Sequence, residues 1–159
     1  MSLDTVAKNA LWFQATGQMP DKPAPSVRQT AFYVGMQCEE LAEKLAAILP
    51  NFLEIEHLKH LAEWFKNGEF DKYVELAFTN PASVQAMLDG DVDLLWVTIG
   101  AALAQGANVT GAYAEVDRAN WDKKFPDGAF HRAPVTGKVL KPEGWKAPDL
   151  TNFVHESLR

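Results

Sequence analysis

Two acidic runs lie far apart in this chain, Glu39-Glu40-Leu41-Ala42-Glu43 and Asp89-Gly90-Asp91-Val92-Asp93. Both lie in segments patterned as helix and otherwise rich in apolar residues. Several ionised carboxylates in apolar surroundings must be paired with cations, protonated or bound to a metal ion, because desolvating them alone is too costly. Asp89 and Asp93 stand four apart and share one helix face, which Ala86, Gly100 and Ala104 continue, whereas Asp91 points roughly the other way. No histidine sits at helical spacing beside either run. Oxygen donors alone suit a hard divalent cation such as Mg²⁺ or Mn²⁺ rather than zinc. The plain alternative is a set of solvated helix charges, the usual state of Asp and Glu.

The elements that would position these groups are helical throughout. Leu3 to Thr16 forms a first pattern closed by Gly17, and Gln18 to Ser26 holds Pro20, Pro23 and Pro25, which forbid regular structure. Ser26 is a suitable N-cap for a long helix from Val27 to Leu49, ended at Pro50. Its residues Val27, Ala31, Val34, Cys38, Leu41, Leu45 and Ile48 alternate steps of four and three, a bundle seam that leaves Glu39, Glu40 and Glu43 on the far side. Phe32, Met36, Ala46 and Ala47 share that far side, so a second layer there is credible. Asn51 to Asn67 and Glu69 to Phe78 read as shorter helices parted by Gly68. Asn80-Pro81 starts another, predicted to run to Gln105 before Gly106. Its stretch Leu94 to Ala104 has no charge and is expected to be buried on most sides. A further helix is expected over Thr110 to Asp122.

Beyond Phe125-Pro126 glycine, proline and lysine dominate, which predicts an irregular tail with a short hairpin and a last helical turn or two in Leu150 to Leu158. The fold class is therefore all-α, a four-helix-bundle-like core over residues 1–126 with a tail over 127–159, in one domain. A formal charge of -6 leaves no basic stripe for a nucleic-acid polymer, so a polyanionic substrate would need a metal escort. Cys38 is the only cysteine, which excludes an intrachain disulfide and favours a reducing compartment. No signal-peptide pattern opens the sequence, and the uncharged stretch at Leu94 falls well short of the roughly 20 residues that span a bilayer. A cytoplasmic protein without a membrane partner is expected. His57, His60, His131 and His155 show neither metal nor triad spacing.

The run Glu39-Glu40-Leu41-Ala42-Glu43, followed about fifty residues later by Asp89 to Val97, resembles the MazG superfamily of all-α nucleoside triphosphate pyrophosphohydrolases. That superfamily includes the dimeric dUTPases, the dCTP pyrophosphatases and phosphoribosyl-ATP pyrophosphohydrolase. Its pattern is E-E-x-x-E on one helix and an acidic residue three before an aspartate on another. Glu40, Glu43 and Asp93 fall on the ligand positions. Gly90 stands where the fourth ligand belongs, and Asp89 looks like its substitute. The segment Asn120-Trp121-Asp122-Lys123-Lys124-Phe125-Pro126 is similar to the family's stretch of nucleotide-contacting polar residues before an aromatic-proline pair. The tail Gly137 to Leu150 looks like the carboxyl extension of phage-type members.

This resemblance implies hydrolysis of a nucleoside triphosphate, a dNTP by preference, between the α and β phosphates. Mg²⁺ or Mn²⁺ would be held by Glu40, Glu43, Asp89 and Asp93, with Glu39 accepting the proton of the attacking water. Asn120, Lys123 and Lys124 would contact the nucleotide, while Trp12, Phe13, Gln14 and Trp121 are available as a wall for the base. It further implies a homodimer or a dimer of dimers. Two other classes remain open: a nucleotide- or metal-binding module that has lost turnover, motivated by Gly90, and a structural helical oligomer with solvated acids.

Overall fold

The computed structural model describes residues 3–19, 24–134 and 136–158, with Leu3, Asp4 and Leu158 known by backbone alone; Pro20 and Pro23 of the proline-rich loop lie outside the described residues. Among the described residues there are six α-helices and no strand: α1 (Leu3–Ala15), α2 (Val27–Ile48), α3 (Leu53–Asn67), α4 (Asp71–Phe78), α5 (Pro81–Ala104) and α6 (Val109–Trp121). Two short 3-10 turns follow, Thr151–Phe153 and Glu156–Leu158. The expected all-α class and helix order are observed, with ends that differ by a residue or two. The chain divides into two compact units, one from residues 24–90 and one from the segments before 24 and after 90.

In the unit of residues 24–90, Ser26 caps α2 by accepting the Gln29 N–H at 3.3 Å. Pro50 cannot extend the helix, and Asn51 takes the left-handed turn, φ 71°, that leads into α3. Gly68, at φ 87°, closes α3 and starts the turn into α4. Arg28 fastens these parts. Its guanidinium donates to the carbonyls of Phe65, at 3.0 Å, and Lys66, and pairs with Asp71 at 2.7 Å, so the start of α2 satisfies the last turn of α3 and holds the start of α4. Phe70 fills the corner between α3 and α4 against Phe65, Trp64 and Tyr73.

The buried positions of α2 are Ala31, Gly35 and Ala42, facing Ile55 and Ala62 of α3 and Val74 of α4. This corrects part of the seam read from the sequence: Ala31 is buried as expected, but Leu41 and Ile48, expected inside, are exposed. The spacing of apolar side chains predicted a seam through Val27, Ala31, Val34, Cys38, Leu41, Leu45 and Ile48. The helices instead meet where side chains are small. Close backbone approach outweighed side-chain bulk toward the end of α2, where Ala42 and not Leu41 is buried.

In the other unit Asn108 caps α6, accepting the Gly111 N–H at 3.0 Å, and its own N–H donates to the Phe153 carbonyl at 2.7 Å. Gly111 is needed at this point, since a Cβ would stand 2.6 Å from the Phe153 ring. Tyr113 of α6 donates its hydroxyl to Asn9 of α1. The tail is irregular with a short hairpin, as expected: an antiparallel bridge joins Arg132 and Val139, flanked by bonds from the Ala133 N–H to the Lys138 carbonyl and from the Leu140 N–H to the His131 carbonyl. Arg132 donates to the carbonyls of Gly17, at 2.8 Å, and Gly137, at 2.9 Å, which ties the tail to the end of α1.

Helix α5 begins where Asn80 accepts the Ala82 N–H at 3.0 Å, the expected cap ahead of a proline. It has no buried residue. Leu88, Val92, Leu94, Leu95, Val97 and Leu103 are exposed, and Trp96 is 78% exposed. The expectation that Leu94 to Ala104 is enclosed is therefore corrected. No single helix among the described residues is long and apolar enough to cross a membrane.

Candidate functional site

The three glutamates of α2 stand in different surroundings. Glu40 and Glu43 are exposed, one helical turn apart. Glu39 lies on the seam with α3, not on its far side as the heptad reading had it, because the buried stripe runs through Gly35 and Ala42. Its carboxylate is 3.3 Å from the Lys66 ammonium, which also pairs with Glu63 at 2.5 Å. Burial pulls the Lys66 ammonium toward neutrality, but Glu63 and Glu39 outweigh it, and the pKa is raised above the ordinary lysine value. The last turn of α3 adds carbonyl dipoles that favour the same charge.

Asp89 and Asp93 lie on α5 at the spacing expected for one face, and both are exposed. Asp93 was expected in an apolar enclosure. Its neighbours are apolar but open to solvent. A Cβ added at Gly90 would meet nothing within 4 Å, so no packing constraint demands glycine at the position where a carboxylate belongs in the resembled pattern.

Within each unit, among the described residues, no three His, Cys, Asp or Glu side chains gather to hold a metal ion. The chemistry of the donors still fits a hard cation. Glu43, Asp89 and Asp93 are exposed oxygen donors that make no ion pair among the described residues, and Glu43 follows Glu40 at a spacing that puts both on one side of α2.

The polar residues after α6 are partly assembled. Lys123 donates to the Asn120 carboxamide at 2.7 Å, and its ammonium lies 5.8 Å from the centre of the Trp12 ring and 5.7 Å from that of Trp145. Trp12 stacks edge-on with Phe13 and Phe130, and Phe130 also meets Trp121. Among the described residues the buried Trp12 indole N–H has no acceptor, a polar group that a bound molecule could satisfy. Lys124 is exposed and lines a separate shallow cavity of about 390 Å³ with Arg118, Asp122, Phe125 and Trp145.

Three groups beside these were missed by sequence reasoning. Lys66 had no motif, and only its place in a last helical turn hinted at a carboxylate partner. Trp145 lay in a quoted tail segment without a role; its indole donates to the Ala119 carbonyl at 2.7 Å while Lys141 sits 4.3 Å above its ring. Glu115 was legible only as a helix neighbour of Arg118. It accepts from Arg118 at 2.6 Å and from the Asp149 N–H at 3.1 Å, and these bonds, Arg118 first, hold its pKa down at about 2. Arg118 continues to Asp122, so a charged ladder along α6 fastens the tail.

No protein-family model and no curated protein sequence matches the chain. A crystal structure from Exiguobacterium sp. 255-15, of a protein provisionally described as an NTP pyrophosphohydrolase, does match by fold. The two chains share 20% identity with a TM-score of 0.62 over 93% of this chain and 90% of that one. The likeness spans nearly the whole of both chains, and what it establishes is a common all-helical fold.

Proposed function

We propose that this protein is a metal-dependent nucleoside triphosphate pyrophosphohydrolase that cleaves a dNTP to the monophosphate and pyrophosphate. The observation that carries this reading is the set of exposed carboxylates Glu43, Asp89 and Asp93. They make no ion pair among the described residues; Glu43 follows Glu40 by three residues on α2 and Asp93 follows Asp89 by four on α5, in a fold shared with a provisional NTP pyrophosphohydrolase. Glu40, Glu43, Asp89 and Asp93 are the residues that would hold Mg²⁺ or Mn²⁺. When bound, the cation would supply charge neutralisation at the phosphates and polarise the attacking water. Glu39, held apart from the ligands, is the group to accept that water's proton. Asn120 and Lys123 would bind the nucleotide by hydrogen bond and charge, with Lys124 adding charge nearby. Trp12 offers a flat face for a base, and its orphan N–H a donor.

The same reading includes self-association. An exposed helix carrying Leu88, Val92, Leu94, Leu95, Trp96 and Val97 is costly in water, and a second copy offers the same apolar surface in return. A cytoplasmic location accords with the lone cysteine.

The open space at Gly90 favours one other reading, a module that binds metal and nucleotide without turnover. Pyrophosphate release from a panel of NTPs and dNTPs with Mg²⁺ or Mn²⁺ separates the two. Release is expected for at least one dNTP, with a loss on the order of 100-fold or more in Glu40→Gln and Asp93→Asn. Binding by calorimetry without release from any nucleotide would establish the module instead.

A further inference from the structure

The carboxylate of Glu39 is treated differently from its neighbours, and the cause starts at Gly35. A Cβ at Gly35 would stand 2.7 Å from the Ala62 carbonyl and 2.8 Å from Lys66 Cγ, so the missing side chain is what lets the aliphatic stem of Lys66 lie against the backbone of α2. The stem then runs one helical turn along α2 and places its ammonium between Glu39, at 3.3 Å, and Glu63 of its own helix, at 2.5 Å. The Lys66 side chain is only 11% exposed, against 27% for Glu39 and 59% for Glu63. A long flexible side chain has thus lost most of its freedom, and its charge has a defined place.

Resting on the hydrolytic reading above, we propose that Lys66 is a positioning residue for Glu39, holding that carboxylate on the seam between α2 and α3 and so keeping it out of the ligand set formed by Glu40 and Glu43. Three glutamates in one run could all bind a cation; a fixed ammonium beside one of them divides the labour. It also gives Glu39 the narrow range of orientation that proton transfer from a water requires, since misplacement by about 1 Å costs roughly 100-fold.

The test compares Lys66→Met, which keeps the unbranched stem, with Lys66→Arg, which keeps the charge. With the nucleotide and Mg²⁺ that the wild-type protein uses, Lys66→Met is expected to lower kcat by roughly 10- to 100-fold while KM and the Mg²⁺ half-saturation stay within about twofold; Lys66→Arg is expected to recover most of the loss. A role confined to stability would lower the melting temperature and leave kcat of the folded fraction unchanged, and that result overturns the proposal. A second readout does not need turnover. Side-chain couplings of Glu39 by NMR should report one χ1 rotamer in the wild-type protein and averaging in Lys66→Met. Equal averaging in both sinks the positioning role even if the enzyme is active. A wild-type protein that releases no pyrophosphate fails the hydrolytic reading, and the rotamer measurement still decides whether Lys66 fixes Glu39.

Discussion

At Gly35 two local rules oppose each other, and packing decides. Alanine in a helix interior is favoured over glycine by about 1 kcal/mol. A methyl group here would meet backbone of α3, the Ala62 carbonyl at 2.7 Å, which cannot swing away as a side-chain tip could. Gly35→Ala is therefore expected to destabilise by about 1–3 kcal/mol, the usual range for overpacking, measured as a fall in the urea midpoint. An increase in the midpoint would mean that α2 and α3 can part without loss. At Glu115 the sign follows from its depressed pKa. The carboxyl titrates near 4.5 in the unfolded chain and at about 2 in the folded one, so its hold on Arg118 and Asp149 is complete above pH 4.5 and is lost as the pH falls toward 2. Acid titration followed by Trp145 fluorescence is expected to show the tail loosening in that window. Glu115→Gln should show the loosened signal already at neutral pH, and an unchanged acid transition in that variant would contradict the assignment.

Among the elements, helix ends were legible because their signals are local. Ser26 and Asn80 cap, Gly17, Gly68 and Gly106 stop, and none of these depends on what lies across the fold, while the cap at Asn108 went unread. Facing was legible only in part. Of the predicted α2 seam Ala31 is buried, but so are Gly35 and Ala42, which lay outside it, while Leu41 and Ile48 are exposed. Periodicity tells which face is apolar, not which apolar residues are small enough to let a second backbone in. The uncharged stretch of α5 carries the same lesson further: its composition expresses a need for cover but not who provides it. If a second copy does, Trp96→Lys places a charge in the middle of that surface. The variant is expected to elute as a smaller species than the wild-type protein in size-exclusion chromatography, with helical circular dichroism retained. A wild-type monomer at tens of micromolar concentration would remove self-association from the reading.

For the whole molecule, the candidate site was legible as residue types and much less as environments. The acidic runs could be named from their spacing and Asn120 and Lys123 from a resemblance to a family motif, whereas the pairing of Glu39 with Lys66 and the anchoring of Trp145 on α6 depend on residues far apart in the chain. Net charge adds a constraint that no local contact supplies. At -6, the protein repels a nucleotide triphosphate in bulk, so binding is expected to require the cation as well as the nucleotide. A non-hydrolysable dNTP analogue with Mg²⁺ at about 100 times its dissociation constant would stabilise the folded state by about 2.7 kcal/mol. For a chain of this size that amounts to a rise of roughly 5–10 °C in Tm by scanning calorimetry. Nucleotide without the cation is expected to give little of that rise, and Glu40→Gln or Asp93→Asn to abolish it. Solvated surface acids predict the opposite pattern, the same Tm with and without ligand and no difference between the variants and the parent protein. Binding thus tests the carboxylates independently of turnover, because a protein that lost catalysis through Gly90 would still show the shift.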